Sequence, residues 1–319
     1  MLRTDLTRPF ATAPLGAVLL ATIAPTGAAT ASPPAPNGTT HTAREVRLAP
    51  SQSGPGAFGF SVALDQVRAV VGATGEGSDS EGAVYAFERS GPEWSQMQRV
   101  LSGDGGNSFN FGYAVDIDGD TLVATGSEGF LENVVAYVFE FDGNTWSRVA
   151  RRALFGTDQF FAMASSISVD GDTCAVGAGF EDDQSDQGRV EIYRRDVNGS
   201  WNSEQTLTAF DAADGDLYGK AVSLHVDTIA IGGGNHVYVY DRLGGVWGFT
   251  QQIDAPAGSG LPHTFANALE LDQDRLVVGQ WGDDDAGDRS GSAHVYQRGG
   301  ATFAPVAELH ASDAAAEQR

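Results

Sequence analysis

From residue 58 onward, short apolar runs follow one another in sets of four. The opening run of a set alternates. In Phe111-Gly112-Tyr113-Ala114-Val115-Asp116-Ile117-Asp118 the large side chains fall on one face and Gly112, Ala114 and Asp116 on the other, the period of two that marks a strand. A turn follows at once, where Asp118-Gly119 or Asp170-Gly171 supplies the positive backbone dihedrals of a tight hairpin. The second run is continuously apolar, as in Leu122-Val123-Ala124, Ile229-Ala230-Ile231 and Leu276-Val277-Val278, which suits a strand covered on both faces. The third is aromatic and β-branched: Val84-Tyr85-Ala86-Phe87, Ala136-Tyr137-Val138-Phe139, Val237-Tyr238-Val239-Tyr240. Beyond it another aromatic recurs at Trp94, Trp146, Trp201, Trp247 and Phe303, then an aliphatic at Leu101, Leu154, Leu207, Ile253 and Leu309.

Five such sets open at Phe58, Phe111, Met163, Tyr218 and Phe265. A spacing of about fifty residues means one supersecondary unit per repeat. Four short antiparallel strands per unit, with no helical periodicity of useful length, predict an all-β fold: a β-propeller of four-stranded antiparallel blades, five of them recognisable. Coils of a parallel β-helix are shorter and lack the hairpin turns. Small residues in the opening strand fit the crowding of blades around a central channel, and the recurring Trp and Phe fill the wider space outside.

The stretches Phe58-Gly59 to Val71-Gly72-Ala73 and Phe111-Gly112 to Ala124-Thr125-Gly126 resemble FG-GAP repeats, known from the propeller of integrin α chains, in their shorter bacterial form. The resemblance covers residues 44–319. It implies a propeller used for adhesion, ligand binding or scaffolding, without choosing among them. It also implies a calcium loop between the Phe-Gly and Gly-Ala-Pro segments, but here that connection is only Asp118-Gly119-Asp120 or Asp272-Gln273-Asp274, too few residues to wrap six or more oxygens around a cation. The resemblance further implies closure with seven blades. Glu45-Val46-Arg47-Leu48-Ala49-Pro50-Ser51 matches Glu308-Leu309-His310-Ala311-Ser312-Asp313, and both resemble the exit from a fourth strand. Five blades plus one leading strand, an incomplete seven-bladed ring, are therefore expected. Its open end sheets need a partner, a second copy or a further C-terminal segment.

Candidate chemistry is sparse. Acidic loops follow the second strand in two units, Asp283-Asp284-Asp285-Ala286-Gly287-Asp288 and Glu181-Asp182-Asp183-Gln184-Ser185-Asp186. If calcium binds, Asp283, Asp285, Asp288, Asp182, Asp183 and Asp186 are its ligands. The plainer alternative is a pair of solvated turns; no full twelve-residue loop pattern is present, so no metal or cofactor is favoured, and chelation is expected to change the melting temperature little. No nucleophile elbow, zinc-protease helix or phosphate loop occurs, and the six histidines are scattered. The chain is expected not to be an enzyme. The alternative is a hydrolase or lyase at the channel mouth, using His263 or His225 with nearby carboxylates, and it rests on fold analogy.

The ends and the charge set the surroundings. Arg3 and Arg8, an apolar core around Leu19 and Leu20, and Ala29-Thr30-Ala31 form a signal peptide at 1–31, followed by a flexible linker at 32–43. The protein is expected to be secreted, periplasmic or on the cell surface, without membrane insertion. A net charge of −23, with Lys220 the single lysine, repels nucleic acid and anionic lipid. Cys174, matching Leu122 of the previous unit, reads as a buried hydrophobe without a disulfide partner. Together these features predict an extracellular binding, adhesion or scaffolding module that presents propeller-face loops to a protein or glycan, with self-association through open blade faces.

Overall fold

The computed structural model describes residues 46–51, 56–129, 133–153, 166–179, 187–257, 261, 263–287 and 289–312. The expected signal peptide and linker, residues 163–165, and Asp182, Asp183, Asp186 and Asp288 lie outside them. Five sheets follow one another along the chain. The first is β1 (Phe58–Asp65), β2 (Arg68–Ala73), β3 (Ala83–Ser90) and β4 (Glu93–Val100). The second is β5 (Ser108–Phe109) with β6 (Val115–Asp118), β7 (Thr121–Glu128), β8 (Asn133–Phe141) and β9 (Trp146–Ala153). The third is β10 (Ser166–Asp170), β11 (Thr173–Ala178), β12 (Arg189–Arg195) and β13 (Trp201–Leu207). The fourth is β14 (Ala221–His225), β15 (Thr228–Gly233), β16 (His236–Leu243) and β17 (Val246–Asp254). The fifth is β18 (Phe265–Asp272), β19 (Arg275–Gln280), β20 (Ser292–Gly299) and β21 (Thr302–Leu309). Each is an antiparallel meander running from the innermost strand outward, a propeller blade.

The core lies between blades rather than within them. Val70 and Val84 of the first blade meet Phe111, Val115, Ile117 and Leu122 of the second, and the same sandwich recurs at the next three junctions. Trp146, Trp201, Trp247 and Phe303 are buried in the outer part of these junctions, as their spacing predicted, each contributing about 2–3 kcal/mol by burial. Cys174 sits in the same kind of place as Leu122, and burial pushes its thiol far up.

Near the axis the backbones themselves touch. A β-carbon on Gly72 would lie 2.0 Å from the Gly112 carbonyl oxygen of the next blade; on Gly177, 2.1 Å from that of Gly219; on Gly232, 2.3 Å from that of Ala266. Crowding was legible as small residues, and the partner proves to be the neighbour's main chain. To present that carbonyl Gly112 adopts φ +89°, which breaks the expected continuous opening run of the second unit into β5 and β6. Ser61 Oγ donates to the same oxygen at 2.7 Å. At the other end of the innermost strands Asp65, Asp118 and Asp170 accept the amides of Gly119, Gly171 and Val226 in the following blade, at 2.7–2.9 Å.

The outer strands are joined by another device. In all five blades the pairing of the third and fourth strands slips by one residue at the same place: Ala86/Phe87, Val138/Phe139, Ile192/Tyr193, Val239/Tyr240 and Val295/Tyr296. These bulges turn the following outer-strand side chain toward the next blade. Gln98, Gln205 and Gln251 stand there, and each amide both accepts from the N–H and donates to the carbonyl of Trp146, Trp247 and Phe303, respectively. At the second junction Arg152 reaches the Trp201 carbonyl instead. In the fifth blade the position is Ala307.

Both end blades keep an open face. Val62 is 50% exposed where its counterpart Val115 is 0%; Val277 is 38% exposed where Ala230 is 0%. Leu309, at the rim of the fifth blade, is 53% exposed. Among the described residues the first and fifth blades share no strand-to-strand interface. Leu48 packs beside Phe58 and Trp94 on the first blade, and Ser51 exchanges hydrogen bonds with Gln96. The leading segment is not the strand its sequence predicted; among the described residues no free sheet edge lies beside it to pair with.

Candidate functional site

Strand alternation puts the tight turns after each first and third strand on one face of the propeller, and the longer connections on the other. The candidate site is this second, loop-bearing face. A third-strand tyrosine pins its loops in three blades. Tyr85 Oη donates to Glu76 at 2.7 Å, Tyr137 to Asp104 at 2.9 Å and Tyr238 to Asp211 at 2.8 Å. Burial, and after it the carboxylate, pushes the Tyr85 and Tyr137 hydroxyls up to about 12. In the first two blades arginines complete the arrangement: Arg99 pairs with Glu76, and Arg148 and Arg151 pair with Asp104. Burial alone would raise the Asp104 carboxyl, but hydrogen bonds from Arg151, Arg148 and Tyr137 hold it below the usual range.

The fifth blade differs. Here the third-strand residue is His294, and the loop carboxylate is Asp283, fully buried. Asp283 Oδ1 accepts the Asp285 amide at 3.0 Å, Oδ2 accepts the Ser292 hydroxyl, and its carbonyl accepts the Gly291 amide. Ser292 Oγ lies 3.0 Å from His294 Nε2, and Gln280 Oε1 lies 3.1 Å from the same nitrogen. Asp284 and Asp285 point to solvent. Carboxylate oxygens of Asp283, Asp284 and Asp285 gather within 4.8 Å of one another, but three such groups fall short of the six to eight oxygens calcium takes.

The calcium loop implied by the family resemblance does not fit the turn residues. Asp118 accepts Gly171 N–H, Asp120 accepts Arg68 Nη1 at 2.8 Å, and Asp274 accepts Gln297, so these carboxylates point apart and are already bonded.

The two histidines considered for catalysis lie on opposite faces. His263 lies just before β18 on the loop face, its carbonyl 3.4 Å from Nζ of Lys220, the residue that leads into β14. His225 ends that strand, 3.7 Å from Asp170 and 3.9 Å from Asp272. At about 3.3 Å per strand residue they are roughly 15 Å apart and cannot share a substrate. Lys220 itself, the only lysine, was missed as a site residue. It is buried, donates to the Gly234 carbonyl at 2.7 Å, and burial pushes its ammonium down to about 8 against the pull of Asp216. Only its uniqueness could have drawn notice.

The sequence pattern of the FG-GAP repeat matches residues 44–87, 94–139, 201–239 and 247–296, more than half of the chain. The protein belongs to the FG-GAP repeat family. The matched units at 94–139, 201–239 and 247–296 each begin at an outer strand and end in the third strand of the next blade, so the family's repeat spans a junction. No curated protein matches the chain. Among solved structures, a protein from Lactobacillus plantarum is similar with a TM-score of 0.48 and 14% identity, covering 77% of this chain and 70% of that one.

Proposed function

We propose that this FG-GAP protein is an exported binding and scaffolding module whose loop face meets a protein or glycan partner. The observation that carries the reading is the pair of open apolar faces at its two ends, where Val62 and Val277 are exposed though every homologous position between blades is buried. Such faces suit a chain that works in an assembly. Loops pinned by the tyrosine–carboxylate pairs offer a preorganised surface with little ordering cost on binding. The export reading rests on residues 1–31, and the net charge of −23 supports neither nucleic acid nor anionic membrane as partner. The purified chain from residue 32, probed on glycan and protein arrays, tests the reading, and a blank on both sinks it. Sedimentation tests the end faces: the wild type is expected to self-associate with rising concentration, and Val277→Asp to reduce that association.

A second reading, a hydrolase or lyase, draws on one observation: buried Lys220 with its lowered proton affinity on the loop face beside His263. Turnover of a glycan or peptide library that disappears in both Lys220→Met and His263→Ala would favour it.

A further inference from the structure

The first, second and fifth blades can be compared on the loop face through the matching pairs of their third and fourth strands. Tyr85 stands opposite Arg99 across the two outer strands, and Tyr137 stands opposite Arg151. In both blades the arginine neutralises the loop carboxylate that the tyrosine holds. His294 takes the tyrosine's place in the fifth blade, and opposite it stands Glu308. A second carboxylate has therefore replaced the guanidinium. Among the described residues no arginine or lysine comes within ion-pair distance of Asp283 or Glu308; only His310 does, its Nε2 3.3 Å from Glu308 Oε1.

Two buried side chains, Asp283 and His294, thus meet the exposed Glu308, with His310 beside it, where the related blades hold a fixed cation. A carboxylate oxygen of Asp283, one of Glu308 and a ring nitrogen of His294 lie within 4.8 Å of one another.

We propose that Asp283, His294 and Glu308 form a binding site for a divalent transition-metal ion of the zinc class, with His310 at its edge beside Glu308. Imidazole with carboxylate suits zinc and its neighbours, whereas calcium takes oxygen alone. Three protein ligands with one water make a zinc site, and Ser292 and Gln280, already bonded around His294, supply the polar lining that orients a metal-bound histidine. The ion replaces the arginine charge and ties the loop after β19 to β21, whose side chains are almost all exposed. It therefore braces the blade that has no neighbour on its far side.

The test uses the untagged chain from residue 32, stripped of metal and titrated with zinc chloride by calorimetry, with melting temperature read in parallel. The wild type is expected to bind one equivalent and melt higher; Glu308→Ala should weaken binding at least tenfold. Glu308→Arg rebuilds the arrangement of the first two blades, so it should fold, bind no zinc and show no zinc-dependent melting. No binding by wild type, equal binding by Glu308→Arg, or the same melting rise with calcium in place of zinc overturns the proposal.

Discussion

Gly72 and Gly279 occupy the same place in their blades, yet a methyl group should act differently on each. Gly72 is pressed against the Gly112 carbonyl of the next blade, whereas a β-carbon on Gly279 would find nothing nearer than the Ala268 carbonyl at 3.6 Å. Gly72→Ala is expected to lower unfolding free energy by about 3 kcal/mol through overpacking, and Gly279→Ala to leave it within about 0.5 kcal/mol. Urea denaturation of the two variants checks this. Lys220 gives a pH signature. Its folded-state pKa of about 8 lies below the ordinary 10.5, so the native state holds fewer protons than the unfolded chain between those values. Stability should then rise with pH across that window and be unaffected by this group below it. Measured against Lys220→Met, the wild type should gain about 2 kcal/mol between pH 8 and about pH 10; an unchanged difference would remove the inference. At this scale the sequence displayed which positions had to be small, since a repeated glycine is visible. It did not display the bonds of Lys220 or of the tyrosine–carboxylate pairs, because those join residues from connections that share no spacing.

The strands were legible almost throughout: runs alternating or continuous in hydrophobicity became first and second strands, and aromatic runs became the third. The exceptions have physical causes. Residues 46–51 read like the exit of an outer strand but, among the described residues, have no sheet edge to join, and the second opening strand is interrupted where Gly112 bends toward its neighbour. The bulge shared by all five blades left no mark in the hydrophobic pattern, since an extra residue in an exposed strand changes no buried position. What it positions can be tested. Gln205→Ala removes two hydrogen bonds and strands both backbone groups of Trp247, so it is expected to cost about 2 kcal/mol. Ala307→Gln at the equivalent place in the fifth blade faces no further blade and is expected to be neutral. A thermal melt of both distinguishes a true latch from a decorative contact.

Over the whole molecule, stability is a sum of blade and junction terms, as in other repeat arrays. Blades two to four are covered on both sides; the first and fifth are covered on one. Native-state hydrogen exchange should therefore grade along the chain, with the amides of Thr302–Leu309 exchanging fastest among outer strands and those of Trp201–Leu207 slowest. Uniform protection would mean that the end faces are covered in solution. The number of blades and the open ends were foreshadowed by the repeat count, whereas the cluster around Asp283 was not, because His294, Glu308 and Asp283 look ordinary until the blades are superimposed.

The junction contacts carry a consequence for how such chains change length. Asp65, Asp118 and Asp170 bind a main-chain amide at the first three of the four junctions, and at the first, third and fourth Gly72, Gly177 and Gly232 abut a main-chain carbonyl while a glutamine grips both main-chain groups of an aromatic residue. Every blade offers those same groups whatever its side chains. A duplicated or deleted unit would thus meet a ready-made neighbour, and ancestry by copying whole units needs no matching pair of mutations at the new seam.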